Sequence, residues 1–287
     1  MSQHSETNVN VAIQLRRVKN VKLFISCDIE GTCGIGNFEE TSKDRDNSWY
    51  DHFRKQMTRE VAAACEGAIE AGVSEIVVKD SHNTGRNIIH AELPKIVKLT
   101  RGWPNDMFSM VGGLQYGFNA VGFTGYHGAA TAGGNPMSHT MNLTIAEARI
   151  NGILMSEFVI QYFAAGMLGV PIVFISGDED ICAQASELVP GITAIPVMKG
   201  RGASVTSIHP DIAVEAIQQG VKTALSGDLE KCRVVLPNDF SLAITYTTHM
   251  KANAMSHYPG AGLLDTMTIG FKTNDYMEVL RCLSFVL

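Results

Sequence analysis

Lys22-Leu23-Phe24-Ile25-Ser26-Cys27-Asp28-Ile29-Glu30-Gly31 is a short apolar run that ends abruptly in two carboxylates and a glycine. A continuous apolar run bounded by a turn signal reads as a buried strand, here over 21–27. The pattern then recurs. Glu75-Ile76-Val77-Val78-Lys79-Asp80-Ser81-His82 ends in a histidine, and so does Ala120-Val121-Gly122-Phe123-Thr124-Gly125-Tyr126-His127. Between and after these runs lie helical stretches. Residues 49–71 place Phe53, Met57, Val61, Ala64, Cys65 and Ala68 at spacings of three and four, and Gly72 is a natural stop. Ser156 is a natural N-cap for a helix over 157–167, and 171–176 reads as another strand before a helix reaching about 187. Strands alternating with helices predict an α/β fold with a mainly parallel central sheet covered by helices on both faces. A hairpin over 142–155, turning at Asn151-Gly152, makes that sheet mixed.

Outward from this core the signals weaken. Residues 86–93 read as a short helix and 107–110 as a short strand. Beyond Pro196 and Gly200-Arg201-Gly202 the expectation is a helix over 210–225, strands at 232–236, 240–248 and 264–272, and a closing helix over 274–285. The expected organisation is therefore a flexible leader over 1–20, a catalytic α/β domain over 21–200 and a smaller C-terminal α/β subdomain over 201–287.

Composition narrows the class. The chain has 287 residues, enough for a sizeable core, with 45% hydrophobic and 18% charged residues and a net charge of −6. No dense Lys/Arg stripe or aromatic-basic interleaving occurs, so a nucleic-acid partner is not expected. No apolar run reaches the roughly 18 residues of a membrane span. Residues 1–20 lack the apolar stretch of a signal peptide. The six cysteines form no CxxC pair, which points to reduced thiols and a cytoplasmic location. Cys27 alternates with Asp28 and is expected to face packing.

The chemistry gathers at the strand ends, where sites assemble in open α/β sheets. Asp28 and Glu30 fall on one side of the chain and invite a cation, although a solvated strand end would read the same way. His82 follows Asp80 by two residues, so Asp80 can steady the imidazole as carboxylates behind metal ligands do, unless Asp80-Ser81-His82-Asn83 is only a turn. His127 closes its strand. Glu157 sits in a first helical turn, where a carboxylate is favoured in any case. His139 lies after Gly133-Gly134-Asn135-Pro136, in a mobile or tightly turned loop, and can act as general acid or base, as a ligand, or as neither. Two carboxylates and two imidazoles converging there suit one or two divalent cations, zinc first. Asp178-Glu179-Asp180 competes, but is better read as acidic residues at a helix start. HExxH, GxSxG, GxGxxG and GxxxxGK[ST] are absent in the required contexts.

Taken in order, Ser26-Cys27-Asp28-Ile29-Glu30-Gly31, Asp80-Ser81-His82, Gly125-Tyr126-His127, Met137-Ser138-His139 and Glu157 resemble the zinc-dependent D-aminopeptidases of the DppA type, whose signature is SxDxEG. The resemblance runs from about residue 21 to the end. It implies a binuclear zinc site with Asp28 bridging, Glu30 and His82 on one ion, and His127 and Glu157 on the other. It implies His139 as the catalytic side chain, nucleophile or general base. It further implies short peptide substrates, with D-residue peptides first, and a homo-oligomer, a homodecamer enclosing the active sites. An amidase acting on L-peptides or on non-peptide amides is the alternative, and a non-catalytic protein with a structural metal is a second. A binuclear phosphoesterase would need DxH and a GNHD-type segment, where this chain has DxE.

Overall fold

The computed structural model describes residues 21–43 and 49–287; the expected leader over 1–20 lies outside the described residues. β1 (Lys22–Cys27) leads through the Asp28–Gly31 segment to α1 (Trp49–Glu70), then β2 (Glu75–Asp80), β3 (Val97–Thr100) and β4 (Ala120–Tyr126). β5 (Ile145–Ile150) and β6 (Ile153–Leu154) form the hairpin, turning at Asn151-Gly152. α2 (Glu157–Met167), β7 (Ile172–Asp178), α3 (Glu179–Leu188), β8 (Thr193–Arg201) and β9 (Ser204–Ser207) follow. The chain closes with α4 (Pro210–Ser226), β10 (Phe240–Tyr246), α5 (His249–Met255), β11 (Ala261–Leu263), β12 (Thr268–Thr273) and α6 (Tyr276–Val286).

The main sheet has seven strands in the order β3-β2-β1-β4-β7-β8-β9. All its pairings are parallel except β8 with β9. β4 and β7 are buried along their whole length, which is what a strand covered on both faces must be. α1 and α4 pack on each other against this sheet, while α2 packs against β4 and α6. The second sheet is antiparallel, in the order β11-β12-β10-β5-β6. The hairpin expected to make the main sheet mixed belongs here instead, because β5 pairs with β10, about a hundred residues on. The Pro/Gly interruption near residue 200 falls within the β8–β9 ladder, and the second sheet takes strands from both sides of it.

Three local expectations change. Residues 107–110 form no strand, since a 3-10 turn occupies Ser109–Val111. Residues 232–236 are irregular apart from the 3-10 turn that ends at Cys232. The run 264–272 is strand only from Thr268, because residues 264–267 form the turn between β11 and β12. All six cysteines are buried and unpaired, and Cys27 lies in the core. Among the described residues no helix is long and apolar enough to cross a membrane.

The strand order places a topological switch between β1 and β4. The chain moves outward from β1 to β2 to β3, then returns to the other side of β1 with β4. A crevice opens at the carboxyl ends of the strands at such a point. The segment after β1 is held there from α1. Glu60 is buried, and its Oε1 accepts from the Cys33 backbone N–H and from Gln56 Nε2, both at 2.9 Å. Burial pushes the Glu60 carboxyl up to about 7 from its ordinary 4.5, against the lowering effect of those hydrogen bonds. The unfolded chain therefore ionises first as pH rises. Stability contributed by neutral Glu60 is complete below about pH 4.5 and is lost as pH rises through 7. Glu60→Gln is expected to abolish that slope and to raise stability at pH 8 by about 2–3 kcal/mol. Urea unfolding of both proteins at pH 5 and pH 8 measures it, and an equal difference at the two pH values would refute the assignment.

Candidate metal centre

Asp28, Glu30 and His127 reach the crevice because two glycines let the β1 and β4 ends touch. The Asp28 N–H donates to Thr124 O and the Gly31 N–H to Gly125 O, each at 2.8 Å. A Cβ on residue 31 would lie 1.8 Å from Tyr126 O, and Gly125 has φ +69 with Asp28 O against it. Only glycine fits either position. Ser26 ties the neighbouring strand ends together: its hydroxyl donates to Met110 O at 2.7 Å and lies 3.0 Å from Ser81 Oγ and 2.8 Å from the Tyr126 hydroxyl. The serine and glycine of the SxDxEG run thus have structural work around the two acids.

The acids and imidazoles meet in a chain of short contacts. His82 Nε2 is 3.1 Å from Glu30 Oε1. His127 Nε2 is 3.5 Å from Asp28 Oδ2 and 3.7 Å from Glu157 Oε1. His139 Nε2 is 3.5 Å from the same Glu157 oxygen. The rings of His127 and His139 stack at 4.4 Å, and Phe38 packs edge-on against His139. Ligand-type atoms of Asp28, Glu30 and His127 lie within 4.8 Å of one another, as do those of His127, His139 and Glu157. His82 touches Glu30 but stands outside both groups.

The histidine tautomers follow from their backbone partners. His127 Nδ1 lies 2.9 Å from Gly128 O, and His139 Nδ1 lies 2.9 Å from Met137 O. A carbonyl only accepts, so the neutral rings carry their protons on Nδ1 and turn Nε2 lone pairs toward the carboxylates. The loop carrying His139 is tightly turned. Asp178 Oδ2 accepts from the Gly128 N–H and from Asn135 Nδ2, Asp180 Oδ2 accepts from the Gly134 N–H, and Asn135 Nδ2 also reaches Glu30 O at 3.0 Å. Asp178 caps α3 through Ile181. The acidic cluster therefore anchors this loop and the α3 N-terminus, as its sequence position implies.

Asp80 differs from expectation. Its carboxylate is taken by the backbone N–H groups of Asn87 and Ile88 and by Asn87 Nδ2, at 2.5–2.8 Å. It does not bond His82; Asn87 Nδ2 in turn donates to His82 O, so Asp80 fixes the loop and not the ring. The turn after β2 competes for the carboxylate with several backbone donors and wins.

The electrostatics suit a cation. Burial raises the Asp28 carboxyl well above its usual range, and the nearby Glu30 and Glu157 charges add to the effect. At Glu30 burial opposes ionisation, but the imidazoles of His82, His127 and His139 outweigh it and hold the group well below its usual range. Burial lowers His82 and His127, yet Glu30 raises the first and Glu157 with Glu30 raise the second above the ordinary value. Among the described residues no Lys or Arg pairs with these acids. Asp28 Oδ2, Glu30 Oε2, His82 Nδ1 and His127 Nε2 are buried without a hydrogen-bond partner. Buried polar atoms left in this state are costly, and orphaned oxygen and imidazole donors on facing groups are what a divalent ion satisfies. A cavity of about 550 Å³ opens over them, walled by Phe38, Trp103, Met110, Met141 and Leu143.

A D-aminopeptidase family profile matches residues 21–285. A D-aminopeptidase of Bacillus subtilis (strain 168) is 29% identical over 266 residues, 92% of this chain and 95% of the relative. The solved structure of the Zn-dependent D-aminopeptidase DppA from Bacillus subtilis, a self-compartmentalizing protease, matches with a TM-score of 0.84 at 26% identity, over 92% of this chain and 96% of that one. The chain therefore belongs to the D-aminopeptidase family of peptidases.

Proposed function

We propose that this peptidase is a binuclear zinc aminopeptidase that releases the N-terminal residue of short D-residue peptides. The observation that carries the reading is the set of orphaned, buried carboxylate and imidazole atoms facing one another at the β1–β4 switch. Asp28, Glu30 and His82 would hold one ion, and Asp28, His127 and Glu157 would hold the other. Asp28 Oδ2 and His127 Nε2 already face each other, and Glu30 and Glu157 flank them. Zinc held by such donors supplies a Lewis acid for the scissile carbonyl and brings the pKa of water toward about 7.

The chain's own groups do the rest. His139 keeps Nε2 open to the cavity by committing Nδ1 to Met137 O. It serves as general base or nucleophile, and as a base it then returns the proton to the leaving amine. Glu157 Oε1, held by the Met141 N–H at 2.7 Å, steadies both His127 and His139. Phe38, Met141 and Leu143 limit water around the reacting bond. The solved relative is a self-compartmentalizing protease, and a homo-oligomer, a decamer in the family pattern, is proposed here too. Six buried, unpaired thiols fit a cytoplasmic setting.

The test is hydrolysis of matched D-Ala and L-Ala p-nitroanilides and dipeptides by zinc-loaded protein, with a chelated control. Chelator-sensitive release from the D series alone is expected. Release from the L series alone would keep the site and overturn the substrate assignment, and no release from either would overturn the peptidase mechanism.

A further inference from the structure

Trp103 lines the same cavity as Asp28, Glu30, His139 and Glu157, and it is half-buried, so part of it stays accessible. Among the described residues no Lys or Arg lines that cavity. The indole is fixed in place although it sits in a loop. The Gly102 N–H donates to Gly85 O at 2.8 Å, which latches the loop after β3 to the loop after β2. A Cβ on residue 85 would lie 2.8 Å from Gly102 N, and Gly85 has φ +64, so the latch requires glycine there. Trp103 Nε1 donates to Asn83 O at 2.6 Å, and Asn83 is itself held to Ser42 Oγ through Nδ2 at 3.1 Å.

The ring also rests on a charge. Lys79, in β2, is completely buried, and its ammonium lies 4.2 Å from the indole centroid. Its Nζ donates to Asp80 O. A buried ammonium is costly unless it is paired, and here the indole face supplies the attraction that an acid usually does. Because Lys79 is inaccessible, it covers the inward face of the ring, and the accessible part of the ring is turned the other way. A cation on one face makes the ring a poor host for a second, since the two positive charges would repel across it.

We propose that Trp103 is a specificity-determining residue that packs against an apolar, preferably aromatic, side chain beside the scissile bond, and that Lys79 is the positioning residue that holds the indole and turns cationic side chains away from it. The inference rests on the aminopeptidase reading of the centre. A dipeptide whose scissile carbonyl lies over Asp28 and Glu157 occupies the cavity that Trp103 walls with Phe38, Met110, Met141 and Leu143. Burying an aromatic side chain against that wall stabilises the complex through apolar area and ring packing.

The experiment compares D-Ala-D-Ala with dipeptides carrying D-Phe, D-norleucine or D-Lys at one residue or the other, on zinc-loaded protein. Wild type is expected to prefer D-Phe over D-Ala by about tenfold in kcat/KM at one of the two positions. Trp103→Ala is expected to remove most of that preference, chiefly through KM, with bound zinc unchanged. Lys79→Met replaces a buried charge by an apolar group of similar size, so it is expected to fold. It is expected to raise D-Lys relative to D-norleucine by about two- to fivefold, a change that a merely structural role would not produce. Adding Trp103→Ala is expected to abolish that gain. An unchanged D-Phe to D-Ala ratio at both positions in Trp103→Ala would overturn the contact, and an unchanged D-Lys to D-norleucine ratio in Lys79→Met would overturn the role of Lys79. Binding without turnover gives a second reading. The chain has two tryptophans, and Trp49 is 61% exposed, so Trp49→Phe leaves Trp103 as the reporting indole. D-Phenylalaninol, which has no scissile bond, is expected to shift its emission at about tenfold lower concentration than D-alaninol. That shift with no dipeptide cleaved sustains the contact and overturns the aminopeptidase reading instead. Cleavage of dipeptides with no emission shift overturns the contact and leaves the aminopeptidase reading standing.

Discussion

Asp28→Asn is expected to lose bound zinc and peptidase activity together while keeping its fold. The substitution preserves volume and removes one charge. The carboxylate sits between Glu30 and His127, is almost wholly inaccessible, and leaves Oδ2 without a partner. Zinc affinity should fall by more than the roughly 10–100-fold that follows loss of a mere supporting partner of a ligand. The sharper expectation concerns stability. Without metal, burial and then the Glu30 and Glu157 charges oppose ionisation of Asp28, so the folded state bears the cost of burying or protonating that carboxylate, and the substitution removes it. Chelated Asp28→Asn should therefore unfold at a higher urea concentration than chelated wild type. Zinc should reverse the order, because an ion that binds only the folded state adds about 2.7 kcal/mol at a concentration one hundred times its dissociation constant. Zinc per subunit by mass spectrometry and urea midpoints with and without chelator give both readings. Full zinc occupancy in the variant would remove Asp28 from the ligand set.

That a site lies at these strand ends is legible in the sequence because period-two alternation and strand termination are local. Asp28 with Glu30, His82 and His127 each follow an apolar run, and the structure brings all of them to one crevice. What joins them is not local. The switch between β1 and β4 depends on strand order, and β5 finds β10 across a distance in sequence that no pattern within either strand reveals. β3, reading Val97-Lys98-Leu99-Thr100, is too short to show a period, and α5 spans only His249–Met255. The role of Asp80 departs from expectation for a related reason. Two-residue spacing puts it beside His82, but the return of the chain at Asn87 and Ile88 supplies closer donors. Trp103 offers no sequence signal at all. Gly102-Trp103-Pro104-Asn105 reads as a loop, and the ammonium beneath the indole is visible only in three dimensions.

His139→Ala is expected to keep its zinc and lose turnover, with kcat falling by about 10²–10⁴-fold and KM changing little. The geometry sets this expectation against a definite rival. His139 Nε2 is 3.5 Å from Glu157 Oε1, and with His127 these residues make a compact group that could itself hold an ion. Three features favour catalysis over ligation. The ring is less buried than His127, it edges the cavity proposed to take the substrate, and its loop is pinned by Asp178 and Asp180 beside that space. Stacking against His127 also fixes the ring plane, which a proton carrier needs at both the attack and the departure of the amine. Zinc per subunit decides between the two roles before any rate is measured. Unchanged zinc with collapsed kcat assigns His139 to proton transfer or attack, because an interaction made only in the transition state lowers kcat and kcat/KM alike. Loss of one zinc equivalent would place Nε2 on the metal and remove His139 from proton transfer.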